Sequence, residues 1–285
     1  MDTSPLAAGD LVLSFGSLPG TDLAGRLAPA RDAGFRGVSV GLADVATAIG
    51  DEVRLAELGR AVVDHDLVVG EFDAITTWDA DHVPPASMGA TGAALAWCTA
   101  ENLCPLAAAV GARSVTVVEY FGTRLGVDRG AAAFAAVCDR AADHGLLVTL
   151  EFLPWTGVAT LAEARAIVEA AGRPNGLLQV DSWHLFRGGG TLAELAALPG
   201  ELLGYVQLDD APADPEPDLE DESVHRRLAP GAGDLDLVGF VRTLRGIGYD
   251  GPIGVEVLAD ELGVLPPAEA ARRCGDGARA VLAAA

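Results

Sequence analysis

An α/β barrel of eight parallel strands is the fold this sequence predicts, and three observations predict it. Short runs rich in Val and Leu alternate with amphipathic Ala/Leu/Arg stretches along the chain. The runs are almost continuously apolar, as strands covered on both faces require. Eight such runs can be counted, the number that closes a (β/α)8 TIM barrel.

The runs fall at 11–15, 36–40, 67–72, 114–119, 146–152, 177–181, 203–208 and 252–258. Helical patterns follow at 22–33, 51–65, 88–110, 129–144, 160–171, 191–197, 234–246 and 268–283. Asp22, Thr160, Thr191 and Asp234 stand where N-caps belong, because their side-chain oxygens can accept from the free N–H groups of a first turn. No GxGxxG follows the first run, which continues as Ser14, Phe15, Gly16, Ser17, and this argues against an open dinucleotide-binding sheet. The 285 residues show no compositional break, so 1–285 reads as one domain. One segment stands apart: 209–222 (DDAPADPEPDLEDE) holds eight acids and three prolines, with nothing apolar to support a core. It is either a solvated loop or, given its place after the seventh strand, a lid spanning about 209–229.

Charge and residue usage exclude several functions. The net charge is −22, from 41 acidic and 19 basic residues, which disfavours a nucleic-acid partner. All basic residues are Arg, so Schiff-base, pyridoxal and P-loop chemistries lack their lysine. Cys98, Cys104, Cys138 and Cys274 have no CxxC spacing and read as reduced core residues. There is no basic leader ahead of an apolar run, and the longest uncharged stretch, 83–100, is broken by Pro and Gly. A cytoplasmic protein without a membrane partner is therefore expected. His65 and His144 each end a helix ahead of a strand and need no chemistry.

The C-terminal ends of barrel strands share one mouth, so polar residues there mark chemistry. The later runs all end this way, with Glu151, Asp181, Gln207 and Asp209, and Glu256. Carboxylates converging out of water repel and lose hydration unless a cation sits among them. Glu151, Asp181, Gln207 and Glu256 form an all-oxygen donor set suited to Mn2+ or Mg2+, with Co2+ admissible. Trp155 and Trp183 are candidates for the pocket wall, or for core.

The stretches LEFLP at 150–154, VDSWH at 180–184, VQLDDAP at 206–212, PGAGDLDL at 230–237 and GVEVL at 254–258 follow one another in a known order. In this the chain resembles the xylose isomerase-like TIM barrel superfamily, the sugar phosphate isomerase/epimerase group, over nearly its whole length. The resemblance implies metal positions at Glu151, Asp181, Gln207 and Glu256, with Gln207 a departure from the more usual His. It implies that His184, three residues after Asp181, touches substrate oxygen, and that Arg226 lies over the substrate. It also implies a homodimer or homotetramer. The expected activity is a metal-dependent isomerase or epimerase of a sugar, polyol or keto acid, with Glu151, Glu256 and His184 catalytic. The alternatives are a dehydratase of the 3-dehydroshikimate or inosose type and a non-catalytic small-molecule-binding barrel. A DNA-repair relative of the same fold is disfavoured by the scarcity of His and the acidic charge.

Overall fold

The structure, a computed structural model, describes residues 6–285. Eight parallel strands close a barrel: β1 (Leu11–Leu13), β2 (Gly37–Gly41), β3 (Val68–Ile75), β4 (Ser114–Val118), β5 (Leu147–Glu151), β6 (Gly176–Asp181), β7 (Leu203–Leu208) and β8 (Ile253–Val255). The last pairs back onto the first, Val12 against Gly254. All eight predicted runs are strands.

Alternation along each strand decides what faces the barrel axis. Val148, Leu150, Leu178, Val180, Val206 and Leu208 are fully buried in the core that also holds Phe134, Ile167 and Phe240 of the surrounding helices. Truncating one of these to Ala would cost about 2–5 kcal/mol. Their neighbours Thr149, Gln179 and Gln207 point inward and bond to one another. Thr149 Oγ1 donates to Gln179 Oε1 at 2.9 Å, and Gln179 Nε2 donates to Gln207 Oε1 at 3.0 Å. Glu71 joins through Thr116. Burial, with Asp73 and Glu256 nearby, holds the Glu71 carboxyl well above the usual range, so it sits neutral in this network. Gly254 is required here, since a Cβ would meet Tyr205 at 2.8 Å.

The helices differ from expectation in several places, among them the short helices Leu42–Val45, Ser182–Arg187 and Asp260–Gly263, which no predicted helix covers. The 88–110 pattern is two helices, Gly89–Trp97 and Ala100–Ala109, because Thr99 caps the second by accepting from Asn102 N. The helix expected from 234 begins at Leu237 with Asp236 as its N-cap, while Asp234 accepts from Ala213 N. The acidic segment contains a helix, Leu219–His225, whose Glu222 and Ser223 are buried. Glu222 accepts from Arg187 Nε at 2.8 Å and from Glu216 N at 2.7 Å, so the segment is anchored by ion pairing where apolar residues are missing. Asp22, Thr160 and Thr191 cap as expected. The four cysteines are free and buried, and burial pushes the Cys104 thiol up to about 11. Among the described residues no helix is long and apolar enough to cross a membrane.

Candidate active site

The barrel mouth opens into a cavity of about 600 Å³ whose lining includes Glu151, Trp155, His184, Arg227 and Glu256. Glu151 ends β5 and Asp181 ends β6, on the inward side of adjacent strands. Asp181 is also the N-cap of helix Ser182–Arg187, its Oδ1 accepting from His184 N at 2.9 Å. This cap brings His184 over the mouth, where its Nε2 lies 3.7 Å from Glu151 Oε1.

Glu151, Asp181 and His184 each place a ligand-capable atom within 4.8 Å of the others. Among the described residues, Glu151 Oε1 and His184 Nδ1 are buried without a hydrogen-bond partner. An orphaned buried carboxylate oxygen is costly, and a cation relieves that cost. Burial, then the charges of Glu256 and Asp181, hold Glu151 well above the ordinary carboxylate range. Burial and Asp209 do the same to Asp181, against the pull of Arg227. Burial and Arg227 together depress His184, keeping the imidazole neutral as a ligand must be. The residues therefore fit a divalent cation.

The remaining expected ligands are placed differently. Gln207 pairs in register with Asp181, but its Oε1 accepts from Gln179 and it does not line the cavity. Glu256 follows β8 and is held by other partners, with Oε1 accepting from Ser14 Oγ at 2.8 Å and Oε2 3.5 Å from Arg227 Nη1. The tightest grouping is thus two carboxylates with an imidazole, a mixed donor set that no longer weighs against zinc as an all-oxygen set does.

Two expected substrate contacts need correction. Arg226 faces outward and pairs with Asp221 at 2.7 Å, while Arg227 turns into the mouth. Arg226 caps the end of helix Leu219–His225 and bridges to Ala259 while Leu228 bridges to Asp210, and these contacts hold the two arginines facing different ways. Trp183 is completely buried behind Trp155, its Nε1 donating to Glu222 at 3.3 Å. Trp155 does line the cavity.

Sequence reasoning missed Arg227 and Asp209 as a pair. Asp209 Oδ1 accepts from Ser182 Oγ and Trp183 N, and Oδ2 from Arg227 Nη1 at 2.6 Å. Burial lifts Asp209 to about 6, and Arg227 limits the rise. The chain thus supplies one cation of its own among these acids, so a metal is not the sole means of reconciling them. Glu119, also missed, accepts from the N–H groups of Phe121, Gly122 and Gly157, tying the loops after β4 and β5 together.

A family model described as Xylose isomerase-like TIM barrel matches residues 27–276. The chain belongs to this family. Among curated relatives, a 3-dehydroshikimate dehydratase of Pseudomonas aeruginosa is 37% identical over 131 residues, 46% of this chain and 20% of that protein. An inosose isomerase of Bacillus velezensis is 31% identical over 146 residues, 50% of this chain and 51% of the relative. The matches thus span about a fifth to a half of these relatives' lengths. Among solved structures, a xylose isomerase domain protein from Alicyclobacillus acidocaldarius is 26% identical with TM-score 0.74, covering 97% of this chain and 99% of that one. The IOLI protein, whose structure carries a zinc atom, superposes with TM-score 0.82 at 19% identity over 96% of this chain and 98% of that one, a likeness of fold.

Proposed function

We propose that this protein is a divalent-metal-dependent isomerase or epimerase that removes a proton from the carbon next to a substrate carbonyl. The observation that carries the reading is the partnerless, buried Glu151 Oε1 beside Asp181 and His184. Glu151, Asp181 and His184 would hold the ion, a mixed set that suits Mn2+ and also admits Mg2+, Co2+ or Zn2+, with Glu256 and Gln207 nearby. Bound there, a divalent cation polarises the carbonyl and acidifies the adjacent C–H.

The chain supplies the rest. Glu151 and Glu256 approach the cavity from β5 and from beyond β8, so one can take a proton from one side of a substrate carbon and the other return it on the opposite side. Ser14 fixes Glu256, and the Asp181 cap fixes the backbone of His184, so substrate oxygens meet preoriented groups. Trp155 walls one side, and helix Leu219–His225, contributing Glu220, Ser223 and Val224 to the lining, covers the mouth against water. Return of the proton to the same carbon gives an epimer, and return to the neighbouring carbon an isomer.

A dehydratase follows from the same first step if a β-hydroxyl leaves, and the dehydratase relative supports keeping this second reading. Incubation of Mn2+-loaded protein in D2O with ketohexoses, an inosose and 3-dehydroshikimate tests both. Deuterium uptake without enone absorbance supports the isomerase, enone formation the dehydratase. Absence of both with every compound supports the binding barrel and overturns the proposal.

A further inference from the structure

The mouth ends of the first four strands carry Ser14, Ser39, Asp73, Glu119 and Tyr120, none of which meets substrate in the chemistry above. Four of the five are already engaged. Ser14 Oγ donates to Glu256 at 2.8 Å, and Ser39 Oγ accepts from Phe15 N at 2.9 Å. Glu119 gathers its three backbone N–H groups, and Tyr120 OH donates to Glu220 at 3.2 Å. Asp73 is the exception. It lies half-buried near the C-terminal end of β3 and lines the cavity, and among the described residues its carboxyl has neither a hydrogen-bond nor an ion-pair partner. Unlike Glu151 Oε1, its oxygens are open to the cavity.

The strands beside Asp73 give the carboxyl no other use. Asp73 pairs in register with Gly41, and the Phe15 ring lies so close to Gly41 that a Cβ there would meet it at 3.3 Å, so this neighbour offers an aromatic ring and no polar group. On the other side β4 contributes Val118 to the lining. A carboxyl on such a wall loses its water when a ligand covers it, and a ligand hydroxyl restores the lost hydrogen bond. It does so in either state of the carboxyl: ionised, the group accepts; protonated, it accepts and donates. Asp73 on β3 and Glu151 on β5 are separated by β4, with strand axes about 10 Å apart, so a substrate that meets Glu151 with its reacting carbon meets Asp73 with a different one.

We propose that Asp73 is a specificity-determining residue, which hydrogen-bonds one hydroxyl of a polyhydroxylated carbonyl substrate at a carbon outside the pair that exchanges the proton. The proposal rests on the reading above that the substrate is a carbonyl compound, and it adds which part of that compound the cavity recognises. A site built around a hydroxyl discriminates against the analogue that lacks it, because the carboxyl is then covered without a partner.

Binding and exchange are measured separately. Calorimetric titration of the Mn2+-loaded full chain compares D-fructose and D-tagatose with their 4-, 5- and 6-deoxy analogues. One deoxy position is expected to bind at least ten-fold more weakly than its parent. In Asp73→Ala the parent is expected to weaken at least ten-fold, to the level of that analogue, so the discrimination disappears. Asp73→Asn, which keeps an acceptor and a donor at the same place, is expected to restore the wild-type order. Mn2+ affinity should stay within about three-fold in all variants, since Asp73 is outside the group that could hold the ion. Asp73→Val is read in place of Asp73→Ala if the latter does not fold. Equal binding of parents and all analogues, discrimination that persists without the carboxyl, loss of Mn2+ binding in the variants, or no binding of either parent overturns the proposal. Solvent deuterium uptake is followed with the same compounds. Hydroxyl discrimination without exchange retires the proton-transfer reading and leaves the role of Asp73 standing. Exchange with parents and analogues alike does the reverse.

Discussion

Arg227 Nη1 lies 2.6 Å from Asp209 Oδ2, with both side chains shut off from water. The same nitrogen is 3.1 Å from Asp181, and the guanidinium lies 5.5 Å from the Trp183 ring centroid. Burial works against the arginine's charge, but Asp181, Asp209 and Glu256 outweigh it and hold the group firmly protonated. This one side chain joins the end of β6, the residue after β7 and the covering helix.

Removing that charge strands its partners. Arg227→Met is expected to lose about 3–5 kcal/mol of unfolding free energy in urea, the usual cost of breaking one side of a buried pair. Arg226→Ala, which removes only an exposed pair to Asp221, is expected to stay within about 0.5 kcal/mol of wild type. Equal effects of the two substitutions would place the buried contact on the wrong arginine.

Glu151→Gln and Asp181→Asn separate metal binding from folding. Asn caps a helix as well as Asp, so the N–H of His184 stays satisfied while the charge is lost. Mn2+ affinity in calorimetry is expected to fall at least 100-fold in either variant. Metal-free Glu151→Gln is expected to melt no lower than wild type, because a buried like-charge contact with Asp181 and Glu256 is relieved. Retained Mn2+ binding in both variants would move the metal elsewhere.

Glu119 predicts a different signature. Its carboxylate gathers three backbone N–H groups, and Gly157 has no space for a side chain, a Cβ there lying 2.0 Å from Thr123 O. Glu119→Ala leaves those donors without their acceptor and frees the loop that carries Trp155. About 1–3 kcal/mol of stability should be lost in urea unfolding. In kinetics, KM is expected to rise more than kcat falls, whereas a group in proton transfer would lower kcat.

The parts of this site that were legible in the sequence are those set by strand periodicity. Glu151, Asp181 and Glu256 stand at ends of apolar runs, and residues at such ends share the mouth of a closed barrel whatever the loops do. His184 was legible through the resemblance, three residues after Asp181, while the helix Ser182–Arg187 that turns it over the mouth was not read from the sequence. Arg227 was not. Which of the two adjacent arginines turns inward depends on the bridges from Leu228 to Asp210 and Arg226 to Ala259, whose partners are distant in sequence. The covering helix was hidden for a related reason: Glu222 is anchored by Arg187, so no apolar pattern announces it. Ser14 and Asp73 lie at ends of early strands where no motif marks them, and only barrel closure brings Ser14 to Glu256.

Asp73 also sets an expectation for stability against pH. Burial and the negative charge of Glu256 lift its carboxyl from 3.8 to about 8, with Arg227 opposing. A raised value means that the folded state holds a proton the unfolded chain has released, so unfolding free energy falls as pH rises. The contribution is fully present below 3.8 and is lost as pH climbs through about 8. For one such proton the slope is at most about 1.4 kcal/mol per pH unit. Urea midpoints of metal-free protein are therefore expected to decline from about pH 5 to about pH 8. Glu71, raised by burial and by Asp73, contributes in the same direction. Asp73→Asn has no proton to lose, so its decline should be shallower by up to one proton's worth and its stability at pH 8 higher than wild type. An identical slope in the two proteins would mean that Asp73 ionises in the folded state as freely as in water, and that the cavity wall carries a settled negative charge at neutral pH.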